Sequence, residues 1–223
     1  NGKPVIVNAD GTVSVVAGVA EGFGTAVTIN SYSTFTGATF DSNSNRLVIV
    51  YRDGSNTYGT AIVGTVSDRT ISFGTAVVYE SASSNYNAIT FDSNSNKVVI
   101  AYQDGGNSGY TTSIVGTVDP SDNSISFGTA VVARSAYANW VSATFDSNSN
   151  KVVIAVDRYA FVGTVSGTNI SFGSQVDYGS GTATSDVAST FDTNSNKVVL
   201  CYTRSGFCKS RVGTVSGTGI SFG

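Results

Sequence analysis

A unit of roughly 50 residues recurs along the 223-residue chain, and this repeat constrains the fold more than any other feature. The segment FDSNSN begins at Phe40, Phe91 and Phe145 and returns as FDTNSN at Phe191. Each copy continues with an apolar run such as KVVIAY, then VGTV, then ISFG. A partial copy opens the chain, where KPVIV and VSVVAGV stand for the second and third segments. A repeat of this period predicts a stacked or radial architecture.

Each unit contains four candidate β-strands. The runs ATFD, RLVIVYRD, YGTAIVGTVS and TISFGTAVVYES are rich in β-branched and aromatic residues and are separated by Gly, Asn, Asp and Ser. No run keeps a helical 3.6-residue spacing. Four-stranded units of this length are typical of propeller blades. We therefore predict one all-β domain over residues 1–223, a β-propeller of about five four-stranded blades with incomplete first and last blades.

The predicted blades cover approximately residues 1–33, 34–84, 85–136, 137–181 and 182–223. Glycines recur inside the third strand, at Gly64, Gly116, Gly163 and Gly213, and after the Phe of the fourth, at Gly24, Gly74, Gly128 and Gly173. Glycine weakens a strand unless another backbone approaches closely or a bulge is needed. The pattern therefore predicts tight packing between consecutive blades.

The repeat FDSNSNKVVIAYQDG, followed by SIVGTV and ISFGTAVV, resembles tandem repeats in tail-fibre, virion and surface proteins of phages and environmental bacteria. The predicted architecture is also similar to that of five-bladed sugar-binding propeller lectins. This resemblance implies an extracellular, cell-surface or virion location and an adhesive or structural role. It carries over no catalytic or binding residue.

Composition argues against several function classes. The chain has no His, which removes histidine-based catalytic triads and histidine metal sites. A net charge of -3 provides no basic surface for nucleic acid. No apolar stretch is long enough for a membrane span, and no cofactor motif is present. We expect a protein that is not an enzyme, with no cofactor, no nucleic-acid partner and no membrane span.

A recurrent aspartate opens the DSNSN segment of every full unit, at Asp41, Asp92, Asp146 and Asp192. Oxygen side chains at alternate positions resemble the start of a calcium loop, but the glycine and the distal glutamate of such a loop are missing. Asp and Asn also stabilise turns by bonding their own backbone. The turn is the favoured interpretation, and calcium is a weak alternative.

The connections between the second and third strands and between blades differ from unit to unit, and in a propeller they share one face. Variable loops on a rigid scaffold often carry binding residues. This face is therefore the candidate ligand-binding site, and its candidate residues are Tyr58, Tyr86, Tyr110, Arg134, Tyr137, Trp140, Arg158, Tyr159 and Arg204.

Aromatic side chains beside hydrogen-bonding groups suit sugars, and they also anchor protein interfaces. The leading hypothesis is a surface or virion module that recognises a glycan or host-surface ligand. The alternative is a structural building block that assembles with neighbouring copies through its incomplete blades. Trp140, at the entrance of a first strand, could instead fill the centre of the ring.

Two minor features complete the prediction. Cys201 and Cys208 either pair across one hairpin connection, which requires an oxidising compartment, or stay unlinked. Asn169 begins the single N-glycosylation sequon, Asn-Ile-Ser, at a turn where a glycan would be exposed.

Overall fold

The structure, a computed structural model, describes residues 5–15, 24–181 and 184–223, and these residues form β-strands with one short 3-10 turn. In those ranges no helix is long and apolar enough to cross a membrane. The first two strands, β1 (Val5–Val7) and β2 (Val13–Val15), form a separate antiparallel pair.

Four four-stranded groups follow, which we call units A to D. Unit A contains β3 (Ser33–Asp41), β4 (Arg46–Asp53), β5 (Tyr58–Ser67) and β6 (Thr70–Phe73). Unit B contains β7 (Val77–Asp92), β8 (Lys97–Asp104), β9 (Tyr110–Asp119) and β10 (Ser124–Phe127), with the 3-10 turn at Gly105–Asn107. After β11 (Val131–Tyr137), unit C contains β12 (Val141–Asp146), β13 (Lys151–Val156), β14 (Tyr159–Ser166) and β15 (Asn169–Phe172). After β16 (Val176–Asp177), unit D contains β17 (Ser185–Asp192), β18 (Lys197–Arg204), β19 (Phe207–Ser216) and β20 (Gly219–Phe222).

The predicted fourth strand is interrupted. Sequence predicts one run over TISFGTAVVYES, but β6 ends at Phe73 and the chain resumes strand structure at Val77. Phe73 pairs with Gly64, and Val77 pairs with Ala61. The outer segment therefore contains one residue more than the facing segment of β5. That extra residue interrupts the ladder, as a bulge does. Beyond it, β7 continues into the next unit as its first strand, whereas β11 and β16 end before the next first strand begins.

The hydrophobic core lies between consecutive units. Val63 of unit A packs with Ile100 of unit B, and Val115 of unit B packs with Ile154 of unit C. Val162 of unit C packs with Leu200 of unit D. Because the central strands are covered on both faces, runs such as KVVIAY are continuously apolar instead of alternating.

Glycine makes the close approach of consecutive units possible. A Cβ added to Gly74, Gly128 or Gly173 would collide with the carbonyl oxygen of the turn between the third and fourth strands of the next unit. Those carbonyls belong to Asn123, Thr168 and Thr218. This contact confirms the tight packing that the glycines predict. The glycines inside the third strands serve a different contact, since Gly116 and its equivalents lie under apolar side chains of their own unit.

The first strands of units A to D, each with the residue that follows it, line one open cavity of about 410 Å³. Each unit contributes the same three positions, and the twelve residues are Thr39, Phe40, Ser42, Thr90, Phe91, Ser93, Thr144, Phe145, Ser147, Thr190, Phe191 and Thr193. The units are thus arranged radially about a common axis, which is a propeller-like architecture. In the described ranges no sheet closes on itself, and the five-blade count and the blade limits stay predictions.

Gly128 tests the packing between units. We expect Gly128→Ala to lower the free energy of unfolding by about 2–3 kcal/mol, because the added methyl group would meet the backbone of Thr168. Chemical denaturation followed by circular dichroism measures the loss. Gly219→Ala is the control, since its Cβ would meet only the Ser216 oxygen at 3.8 Å. Units A to C carry Thr70, Ser124 and Asn169 at the position equivalent to Gly219, so this position accepts a side chain. Equal losses in the two variants would contradict the packing role.

Candidate functional site

A pocket of about 350 Å³ opens where the connections of units B, C and D meet. The residues that line it are Arg134, Asn139, Trp140, Asp157, Arg158, Tyr159 and Thr184. They come from the connection between units B and C, from the connection between β13 and β14, and from the connection between units C and D. The pocket therefore gathers connections whose sequences differ from unit to unit.

Asp157 fixes the shape of this pocket. Its carboxylate accepts a hydrogen bond from Arg134 Nη1 at 2.8 Å through Oδ2 and one from the Asn139 backbone N–H at 3.1 Å through Oδ1. Its backbone carbonyl accepts bonds from the hydroxyls of Tyr178 and Thr184. Asp157 has a φ of 50°, a left-handed conformation that Asp tolerates better than most residues. One residue thus joins the three connections that form the pocket.

Tyr159 holds both arginines of the pocket. The guanidinium carbon of Arg134 lies 4.7 Å from the centre of the Tyr159 ring, and that of Arg158 lies 4.9 Å from it. Arg158 Nη2 also donates to the Tyr159 hydroxyl at 2.6 Å, and its Nε lies 3.4 Å from Asp177 Oδ2. The bond to Tyr159 and the nearby Asp177 charge raise the pKa of Arg158. The pocket therefore keeps a permanently charged donor at its wall.

The structure brings part of the predicted site together. Arg134, Trp140, Arg158 and Tyr159 line the pocket, and the Tyr86 ring lies 5.4 Å from the Trp140 ring, centre to centre. The predicted residues that do not line it are Tyr58, Tyr86, Tyr110, Tyr137 and Arg204. The sequence does not single out Asn139 and Thr184, and it places Asp157 among the charged residues of the candidate face without making it a ligand-binding candidate. The sequence does indicate the location of Asp157, because a charged residue directly after the apolar run of β13 marks the start of a connection between strands.

Trp140 lies next to the pocket, at the start of a first strand. Its side chain is 39% exposed, and its ring contacts the Tyr86 ring. The cavity at the other end of the first strands is lined by Phe, Thr and Ser. That Trp140 fills the centre of the ring stays a prediction.

The recurrent aspartates of DSNSN act as turn acceptors. In each full unit the Asp Oδ1 accepts the backbone N–H groups two and three residues later, for example from Asn94 and Ser95 onto Asp92. Asp41, Asp146 and Asp192 repeat this geometry. The described residues contain no cluster of three or more His, Cys, Asp or Glu that could hold a metal ion. The geometry supports the turn interpretation of these residues.

Cys201 and Cys208 are both free and exposed. Cys201 pairs with Ser210 and Cys208 with Thr203, so the two cysteines are diagonal neighbours on β18 and β19 instead of direct partners. Asn169, the predicted glycosylation residue, is exposed at the start of β15.

The comparisons with known proteins address the fold. The chain is similar to a crystal structure of a protein from Lactobacillus plantarum, with a TM-score of 0.60 and 12% sequence identity. The match covers 98% of this chain and 62% of that one, so the chain spans less than two thirds of its structural neighbour. No protein-family model and no curated protein matches the sequence. The neighbour has a β-propeller-like fold, and the chain is an all-β protein of that propeller-like class.

A pair of carboxylates lies in unit B, outside the pocket. Glu80 accepts hydrogen bonds from the Ala82 backbone N–H at 2.9 Å and from the Tyr102 hydroxyl at 3.1 Å. Burial raises the pKa of Glu80, and the charge of Asp104 raises it further. The folded protein therefore holds this proton at pH values where the unfolded chain has lost it. The free energy of unfolding falls as pH rises from the ordinary Glu pKa of 4.5 through the folded value.

Glu80→Gln tests this pH dependence. We expect the variant to melt at a higher temperature than the parent at pH 8 and at about the same temperature at pH 4, because the amide carries no charge. Thermal denaturation across this range measures the difference. Repeating the substitution in an Asp104→Asn background should give a smaller gain at pH 8. A gain that does not change with pH would contradict the account.

Proposed function

We propose that this protein is a non-enzymatic binding module that recognises a glycan or other surface ligand through the pocket around Trp140. The observation that carries the proposal is the convergence of three variable connections on one concave site lined by aromatic and charged side chains. Ligand pockets in proteins combine apolar surface with a few placed polar groups in this way. An extracellular, cell-surface or virion location is part of the same proposal.

The chemistry of the pocket favours a sugar. The CH face of a pyranose can stack on the exposed indole of Trp140, and sugar hydroxyls need donors and acceptors nearby. Arg158 supplies N–H donors, and Asn139 supplies an amide that can both donate and accept. Rigidity supports affinity, because the bonds of Asp157 hold the pocket in shape before a ligand arrives.

The same geometry argues against hydrolysis in this pocket. A glycoside hydrolase needs two carboxyl groups facing the scissile bond, one of them available as an acid. Asp157 is the carboxylate among the lining residues, and both of its oxygens are engaged by Arg134 and Asn139. We therefore assign Asp157 a positioning role.

A glycan array tests the proposal. We expect the protein to bind a defined set of oligosaccharides, and Trp140→Ala to reduce that binding at least about tenfold, because the variant loses its stacking surface. Phe207→Ala is the matched control, since Phe207 is an aromatic residue, 68% exposed, outside the pocket lining. Absence of binding to every glycan, or an equal loss in both variants, would contradict the proposal.

A second candidate function is self-assembly, and one observation favours it. Val63, Val115 and Val162 occupy the same position in units A to C and are at most 1% exposed, because the next unit covers them. Their equivalent in unit D, Val212, is 50% exposed. No described residue covers this face of β19, and a neighbouring copy could supply the missing contact.

Sedimentation velocity at increasing protein concentration tests self-assembly. We expect Val212→Lys to reduce association of the parent protein, because a charge at the centre of the contact is costly to bury. Val132→Lys is the control, since Val132 is 38% exposed but lies in β11, away from the unit D face. A parent protein that is monomeric at all concentrations would rule out this candidate.

A further inference from the structure

The first strands of units A to D share an unusual backbone conformation at one position. Five residues before the cavity-lining Phe, the chain carries Phe35, Tyr86, Trp140 and Asp186, with φ values of 51°, 51°, 53° and 51°. The ladder register shifts at this point in β3, β7 and β17, so two residues oppose one on the partner strand. Trp140 stands directly before β12. Phe35, Tyr86 and Asp186 therefore occupy equivalent bulges, and Trp140 occupies the corresponding position of unit C, all near one end of the axis.

The residue types at this position are costly for the backbone. A left-handed conformation is a genuine outlier for a bulky residue and costs on the order of 1 kcal/mol, whereas Asn and Gly adopt it readily. Every full unit has a second left-handed position, in the DSNSN turn, and there the residue is always Asn, at Asn45, Asn96, Asn150 and Asn196. If the backbone conformation were the only requirement, Asn would serve at both left-handed positions of each unit. The aromatic residues thus indicate a function that outweighs the strain.

The three aromatic rings form a continuous run. The Phe35 and Tyr86 rings have centres 5.0 Å apart, and the Tyr86 and Trp140 rings have centres 5.4 Å apart. Phe35 is 37% exposed and Trp140 is 39% exposed. Trp140 also lines the pocket, so the aromatic run extends that pocket from unit C toward unit A. Together they make one elongated site with an arginine end and an aromatic end.

We propose that this elongated site binds a carboxylated oligosaccharide. The carboxylate of one sugar pairs with Arg158, and the neighbouring sugars stack their CH faces on Trp140, Tyr86 and Phe35. The inference rests on the proposed function and specifies its ligand class.

The charges of the site select a carboxylate over a neutral sugar. Arg134 is neutralised by Asp157 at 2.8 Å, but Arg158 has only a longer contact of 3.4 Å with its acidic neighbour Asp177. The Arg158 guanidinium lies against the Tyr159 ring, and its side chain is 29% exposed, so a ligand can reach it. A guanidinium also matches the two oxygens of a carboxylate geometrically. The carboxylate of an acidic sugar would therefore give Arg158 a closer ion pair than the one that it has with Asp177.

The test uses uronate trisaccharides of galacturonate, glucuronate, mannuronate and guluronate, together with their methyl esters. Trp140 is the only Trp of the chain, so its fluorescence reports occupancy of the site. We expect at least one trisaccharide to change this fluorescence and its methyl ester to bind about tenfold more weakly or not at all. Equal binding of acid and ester, or no binding of any acid, would overturn the proposal.

Two variants separate the inference from the proposed function. Tyr86→Asn removes a stacking ring outside the pocket and places a residue that tolerates the left-handed backbone. Arg158→Gln removes the charge at the pocket end. We expect each to weaken trisaccharide binding about tenfold without a loss of melting temperature that would explain it. Phe207→Ala should leave binding unchanged.

The outcomes are distinct. If neutral glycans on the array bind through Trp140 while no uronate does, the proposed function stands and the acidic ligand class is wrong. If uronates bind and Arg158→Gln weakens them but Tyr86→Asn does not, the ligand is confined to the pocket and the elongated site is wrong. If no glycan binds at all, the proposed function fails as well.

Discussion

The fold depends on the contact between a glycine of one unit and a turn carbonyl of the next. This contact recurs from Gly74 to Asn123, from Gly128 to Thr168 and from Gly173 to Thr218, and it leaves no room for a side chain. It brings consecutive sheets close enough for Val and Ile of both faces to pack between them. Because the same contact repeats, the first strands come together around one axis, and the variable connections meet beside it.

Much of the framework could be predicted from the repeat. The glycine spacing indicated close packing of units, and the Asp of DSNSN indicated a turn in which its carboxylate accepts backbone N–H groups. The break after Phe73 was not predictable, because the register of a bulge depends on the partner strand and leaves no clear mark in an apolar run. The positioning role of Asp157 was not predictable either, since it depends on the positions of Arg134 and Asn139 in three dimensions.

The candidate site combines rigid support with local strain. Asp157 ties the pocket to its neighbours through side-chain and backbone bonds, so Arg158 and Tyr159 have a fixed frame. Phe35, Tyr86 and Trp140 sit in a conformation that their bulk disfavours, and mutual ring contacts offset part of that cost. Proteins commonly hold such strain where it positions binding groups. The left-handed position was invisible in sequence, because nothing in the residue types Phe, Tyr and Trp signals a positive φ.

A crystal structure of the protein with the uronate trisaccharide that it binds most tightly would test the elongated site. We expect electron density for the sugar carboxylate beside Arg158, with the following sugars over Trp140 and Tyr86 and little movement of the protein. Density between two sheets, or in the cavity lined by Phe91 and its equivalents at the other end of the axis, would contradict it.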